Sequence, residues 1–391
     1  MRLLDRYVLR NFLEPFLLCL FAFLGIFLIF DAFDNFNDFL AGKERWHLVG
    51  VYYAHQLPHL ILLCVPIGLL LANLYCLSKM SRTNEIISML TAGRSILRIV
   101  LPLFAAAAAV TGLCLWLNYE LAPQADAIRK KDMDRIRYGE NKTGDGRLLT
   151  ESFDTVAAHL MKDRKSNRLW FATSMQRNVN TLDSVHITQL DKEGAPEIRW
   201  YAREATYDPR NRKWSLNQGR QVSFDAKGNI EGGMDDWTKE TGANGSRVFD
   251  WRETPYRIAS SRMDAEQLSV PELREYLASN ADFPDSQLAA FRTHLQHRWA
   301  LPFTCLAVVF IAAPMGIVYS RRAVLASVAG SIFIFFGFLF CMFFFLALGK
   351  GNHLSPIAAA WIPNAVLVVI GTYLLYLRST NREAPKLFSR K

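Results

Sequence analysis

Few residues in this 391-residue chain carry types and spacings that suggest chemistry. No segment fits G-x-x-x-x-G-K-[ST], so the chain has no phosphate-cradling loop for a nucleoside triphosphate. H-E-x-x-H, G-x-S-x-G and G-x-G-x-x-G are also missing from the sequence, which removes the common zinc-peptidase, serine-hydrolase and dinucleotide signatures. His294 and His297 stand three apart without a third metal ligand at suitable spacing, and read as a pair at a membrane edge. His55 and His59, at i and i+4, are either an intramembrane functional pair or a satisfied interfacial one. Arg129, Lys130, Lys131, Arg135 and Arg137 alternate with Asp126, Asp132 and Asp134, which suits an anion contact and a solvated helix face equally. The segment from Ser81 to Arg94 reads as a short helix over 83–92. Thr83 is expected to cap it, Glu85 sits in its positive first turn, and Gly93 ends it. Ile86, Met89, Leu90 and Gly93 share one stripe, which either lies on a bilayer surface or docks in a partner's groove.

What positions these residues is a set of long uncharged runs. Stretches of about 20 apolar residues span a bilayer, and six qualify: Pro15–Phe30, Leu48–Ser78, Ile99–Tyr119, Trp299–Ser320, Ala323–Gly349 and Leu354–Leu377. Such runs argue against a soluble enzyme or a DNA-binding protein. The first, followed by Asp31-Ala32-Phe33-Asp34 with no small-residue cleavage site, reads as an uncleaved helix. The net charge of +9 would suit nucleic acid, but the cations sort by membrane side. Arg2, Arg6, Arg10, Lys79, Arg82, Arg94, Arg98, Arg321, Arg322, Arg378, Arg382, Lys386, Arg390 and Lys391 fall on one side, and only Lys43, Arg45 and Lys350 occupy the opposite short loops. That bias predicts both termini in the cytoplasm and the long insert outside. Trp46, Trp116, Trp299 and Trp361 fall near span ends, where indole favours the interface.

All six cysteines, at 19, 64, 76, 114, 305 and 341, lie within the spans. The insert therefore has no disulfide to form, and the cysteines read as small hydrophobes in helices. Residues 120–137 continue the third span outward as a helix. Arg168–Ser174, Ser184–Leu190, Ile198–Ala205, Lys213–Leu216 and Gln221–Phe224 then read as short strands of a sandwich, jelly roll or open barrel. Val270-Pro271-Glu272-Leu273 opens a helix, and Asp285–Arg298 runs as a helix into span four. The expected domains are residues 1–119, an insert at 120–298 with helical flanks 120–137 and 271–298 around strands at about 140–265, and residues 299–391.

Five landmarks occur in order over essentially the whole chain: Leu4-Asp5-Arg6-Tyr7, Asn84-Glu85-Ile86 with Ala92-Gly93, Ala122-Pro123-Gln124, Arg298-Trp299-Ala300-Leu301-Pro302 and Trp361-Ile362-Pro363-Asn364. Together they resemble the LptF/LptG (YjgP/YjgQ) lipopolysaccharide-export permeases, the opening tetrad looking more like LptG. The resemblance implies an α-helical polytopic inner-membrane protein with six transmembrane helices, three plus three, around an inserted all-β periplasmic jelly-roll-like domain. It implies half of an ABC-type transporter from a Gram-negative bacterium, completed by the paralogous LptF/LptG half. The partners implied are an LptB-type ATPase dimer, an LptC-type single-span protein and the periplasmic bridge. The permease would not itself be an enzyme and would bind no cofactor, ATP and Mg being used by the ATPase. The 83–92 helix would couple to that ATPase through Glu85, Ile86, Met89, Leu90 and Gly93. ATPase closure would narrow a cavity lined by spans one, two and five and expel lipopolysaccharide.

One departure stands out. Family members of the LptG type place basic residues at the outer end of span one, whereas this chain has Asp31, Asp34, Asn37 and Asp38 there. Either divalent cations bridge Asp31, Asp34 and Asp38 to lipid A phosphates, or the anion contact moves to Lys43, Arg45, Arg129, Lys130 and Arg135, which is the expectation favoured here. The other function classes are a membrane sensor or scaffold with a ligand-binding outer domain, a permease of another lipid or lipoprotein exporter, and an intramembrane enzyme.

Overall fold

The structure is a computed structural model. It describes residues 3–41, 46–119, 155–176, 180–225, 228–231, 234–240, 245–260, 263–266, 268–317 and 321–380, together with Ala125, Ile128, Asp132, Met133 and Ile136. Its first helices are α1 (Leu3–Asp34), α2 (Phe36–Ala41), α3 (Trp46–Arg82), α4 (Glu85–Thr91) and α5 (Ile96–Tyr119). After seven strands come α6 (Pro255–Ala259), α7 (Val270–Ser279), α8 (Asp285–Gly316), α9 (Arg321–Lys350) and α10 (Pro356–Ser379). Among the described residues α1, α3, α5, α8, α9 and α10 are long and apolar enough to cross a membrane, the six spans expected. Of residues 120–137 only five are described, so that helical flank lies mostly outside the described residues. The chain divides into two compact units: Met1–Asp132, Ala265–Arg274 and Asp285–Lys391 form one, Met133–Asp264 and Glu275–Pro284 the other.

In the helical unit α3 and α8 are the most deeply buried spans, and α1 buries few side chains. Val8, Phe12, Leu69, Leu77, Met80, Ile99, Val100, Leu103 and Val309 form one continuous core from α1, α3, α5 and α8. Pro302 and Pro314 lie inside α8. Each lacks the N–H that would serve the carbonyl four residues back, those of Arg298 and Phe310. Asn118 of α5 donates its side-chain amide to the Arg298 carbonyl. Gly371 of α10 lies so close to Phe310 that an added Cβ would stand 2.5 Å from its carbonyl carbon. Small residues at such crossings let backbones approach closely. Asn364 of α10 donates to the Ala300 carbonyl at 2.7 Å and accepts from the Thr304 hydroxyl at 3.1 Å. These contacts lock α8 to α5 and α10.

The second unit is built on a β-sheet: β1 (Thr155–Asp163), β2 (Arg168–Gln176), β3 (Thr181–Leu190), β4 (Pro196–Asp208), β5 (Lys213–Ser223), β6 (Asp235–Asp236) and β7 (Ser246–Phe249). Consecutive strands pair antiparallel from β1 to β6, and β7 also pairs with β5. Lys213–Leu216 and Gln221–Phe224, expected as two strands, belong to one. Gln218 takes φ 50° inside β5, and Gly219 beside it leaves no room for a Cβ, which would stand 2.5 Å from the Tyr201 carbonyl oxygen. A local irregularity of this kind resembles a turn in sequence yet leaves the ladder intact. Trp170, Trp200, Trp214, Trp237 and Trp251 dominate the core.

At one end of this sheet lies a buried ionic network. Arg257 donates to Asp163 at 2.9 Å and to Asp282. Arg168 makes paired bonds of 2.8 and 2.9 Å to Glu253. The Ser166 hydroxyl lies 2.7 Å from Asp163 and 2.6 Å from Glu253, joining the two pairs. Burial alone would raise the Asp163 carboxyl, but the Ser166 hydroxyl, the Arg257 guanidinium and the N–H groups of Lys165 and Ser166 hold it below its ordinary range. Because the folded value is depressed, this stabilisation is present above the unfolded pKa of about 3.9 and is lost as pH falls through the folded one. Arg257→Ala leaves two buried carboxylates without their cation and should destabilise the β unit by about 3–5 kcal/mol. Urea unfolding followed by tryptophan fluorescence checks this; an unchanged midpoint at neutral pH would show that the network contributes nothing.

Candidate functional site

The residues singled out between 81 and 94 form a compact element at one end of the helical unit. Helix α3 continues to Arg82, and the chain reverses at Asn84, whose φ of 59° lies in the left-handed region. Asn tolerates that conformation better than most side chains. Thr83 was the expected cap, but the N-cap position falls to Asn84 and no side chain caps the helix. The Thr83 hydroxyl instead lies 3.1 Å from the Lys79 carbonyl of α3 and 2.8 Å from Glu85 Oε1. The sharp reversal takes Thr83 back onto α3 rather than over the new helix.

At the other end Gly93 takes φ +79°. Its N–H bonds the Leu90 carbonyl at 2.9 Å, and the Arg94 N–H bonds the Met89 carbonyl at 3.1 Å. That pair of bonds is the Schellman arrangement, which satisfies the last carbonyls of α4 and turns the chain into α5. Between these ends the stripe of Ile86, Met89 and Leu90 faces the protein's own bundle. Ile86 is fully buried in the core, with Met89 and Leu90 packed at its edge. The face turned to solvent carries Ile87, Ser88, Thr91, Ala92 and Arg94.

Glu85 is half-buried and held from two sides. Tyr7 of α1 donates to Oε2 at 2.9 Å, and the Thr83 hydroxyl meets Oε1. Arg98 of α5 bonds Asp5 of α1 at 3.0 Å, closing the same corner. Leu4, Tyr7, Thr83, Glu85, Ser88, Met89, Ala92 and Arg94 line a shallow concavity of ≈ 450 Å³. It offers an apolar floor, a carboxylate and one cation, enough to seat and orient a side chain of another protein. Sequence reasoning missed Tyr7, Asp5 and Arg98 as members of this corner. Tyr7 and Asp5 stood in the opening tetrad only as a landmark, and their partners lie 78 and 93 residues away.

The remaining sequence-predicted residues are dispersed. Lys43, Arg45, Arg129, Lys130 and Arg135 lie outside the described residues. At the acidic end of α1, Asp31 accepts from Tyr52 at 3.0 Å and from Gln56 at 3.3 Å, both on α3. His55 Nδ1 lies 2.7 Å from Asp132, so this histidine has a carboxylate partner. His294 stands 3.8 Å from Glu266, which also pairs with Lys350. The hydrogen bond from Lys350 is the main cause that holds the Glu266 carboxyl below its ordinary range.

A family model described as lipopolysaccharide export system permease LptF/LptG matches residues 6–377, nearly the whole chain. No curated protein matches the chain. Ile86 is what fastens α4 to the bundle, and Ile86→Ala removes a buried side chain worth about 2–5 kcal/mol. Amide hydrogen exchange should accelerate across residues 85–91 in that variant while the six spans stay protected. Unaltered protection would show that the ends of α4 suffice to hold it.

Proposed function

The chain belongs to the LptF/LptG family of lipopolysaccharide export permeases, and on that premise we propose that α4 receives the stroke of a separate ATPase. The protein is one half of an ABC-type exporter in the inner membrane, paired with its paralogous half and an LptB-type ATPase dimer. ATP and Mg belong to that ATPase. The opening Leu4-Asp5-Arg6-Tyr7 favours the LptG-type half. One observation carries the reading: α4 is short, closed at both ends, and fastened through Ile86 to a core shared by α1, α3, α5 and α8. A push on its outward face therefore reaches four helices without first bending a loop. The adjoining concavity around Glu85 is a seat for a side chain of the ATPase, with the carboxylate aimed at an arginine.

The fourteen-to-three bias of Lys and Arg among the short loops supports placing α4 and both termini in the cytoplasm and the β unit in the periplasm. There the β unit hands lipid to an LptC-type protein and the bridge. Lys43, Arg45, Arg129, Lys130 and Arg135 remain our choice for meeting lipid phosphates. The Asp31 carboxylate is already engaged by Tyr52 and Gln56, which supports moving the anion contact to those cations rather than bridging it through divalent metal at Asp31.

Two experiments test this reading. Single cysteines at Gly228 and Gly93, in a background with all six native cysteines replaced, should label from opposite faces of the membrane. An impermeant thiol reagent that reaches Gly93 in intact spheroplasts would invert the topology and end the proposal. Glu85→Arg sets like charges against each other where a desolvated pair is worth about 2–5 kcal/mol. The variant should insert normally yet lose most ATPase association, seen as missing subunit on purification. Full assembly and full export in that variant would return Glu85 to a role within the bundle.

A further inference from the structure

Between α1 and α3, at the end of the bundle that carries α4, lies an open groove of ≈ 870 Å³. Leu18 and Leu74 form its apolar wall, Tyr75 stands at its side, and Glu14, Lys79 and Arg82 rim its mouth. Glu14 forms an ion pair with Arg10 at 3.4 Å. Among the described residues no ion pair joins Lys79 or Arg82 to a carboxylate. The two cations lie three residues apart in the last turn of α3, so they project side by side. The local sign is therefore positive at the mouth and the interior is apolar. A pair of cations at the mouth of an apolar groove between spanning helices suits an anionic headgroup, with arginine supplying a fork and lysine a point charge.

We propose that this groove holds one anionic glycerophospholipid, its phosphate on Lys79 and Arg82 and an acyl chain along Leu18, Leu74 and Tyr75. The groove adjoins the α4 concavity, the two sharing Thr83 at their rims, and the proposal holds whichever way the chain is oriented, since phospholipid headgroups occur at both membrane surfaces. Because Arg82 and Thr83 lead directly into Asn84, the bound phosphate stands beside the element on which α4 turns.

The test uses the full chain purified in mild detergent and re-equilibrated with a mixture of phosphatidylglycerol and phosphatidylethanolamine, with bound lipid read by native mass spectrometry. The wild type should retain about one phosphatidylglycerol in preference to the zwitterionic lipid. Lys79→Gln with Arg82→Gln should lose roughly fivefold per cation, about thirtyfold together. Both residues are exposed, so the double variant should insert and fold. Leu18→Trp, which fills the groove and leaves the charges, should expel the lipid as well. Arg292→Gln, a cation removed from the opposite end of α8, should retain it. Full retention by the charge variant or by Leu18→Trp overturns the site, as does equal retention of phosphatidylethanolamine or preferential capture of lipopolysaccharide. In the assembled transporter, a photocrosslinker at Tyr75 should capture lipid. Capture of polypeptide there would make the groove a protein interface and sink the proposal.

Discussion

A bilayer offers no hydrogen-bond partners to the backbone, and the helical unit is organised around meeting that demand where proline breaks it. Helix α8 carries two prolines and would be left with unserved carbonyls at Arg298 and Phe310. The first is supplied by Asn118 from α5; the second lies where Gly371 brings the backbone of α10 close. Asn364 adds a bond to the Ala300 carbonyl, two residues before Pro302. The bond that serves Arg298 also ties α8 to α5, and the close approach at Gly371 ties it to α10. A helix that could satisfy itself would have less reason to sit in one place.

From that fixed spine the packing extends to the corner where α1, α3, α4 and α5 meet. Leu77 and Met80 of α3, Ile99 and Val100 of α5, and Val8 of α1 belong to the same core as Ile86. Polar contacts outline the same corner, with Tyr7 on Glu85 and Asp5 on Arg98. Surface ion pairs contribute little individually, so the apolar plug carries the attachment and the polar bonds set its orientation.

The six spans were readable because hydropathy over 20 residues is a local property, and the helices of the structure enclose nearly all of each run. Strands β2, β3 and β4 were readable for the same reason, since alternation and turn residues bound them. Strand β5 was split because Asn217-Gln218-Gly219 has the composition of a turn, and only the pairing with Tyr201 and Ala202 shows that the ladder continues. The stripe on α4 was legible, but whether it faced a membrane, a partner or its own bundle is a tertiary question that spacing does not answer. The Thr83 cap failed because capping patterns assume an extended residue before the helix, whereas the reversal from α3 puts a left-handed Asn84 there. The Arg298–Pro302 landmark was visible as a string of letters, and its physical content needed Asn118, 180 residues distant.

The two left-handed residues that bound α4 give it a fixed number of residues as well as a fixed position. Each residue added to an α-helix rotates the chain beyond it by about 100° and advances it by about 1.5 Å. With Asn84 and Gly93 both pinned, one inserted residue would swing Ile86 out of the core or drag the start of α5 around its own axis. Substitutions on the outward side of α4 face no such arithmetic, because Ser88, Thr91 and Ala92 touch solvent. The element is therefore free to vary in surface chemistry and is confined in length. Two chains descended from a common ancestor could drift in which partner surface they fit while keeping the same number of residues between the two turns.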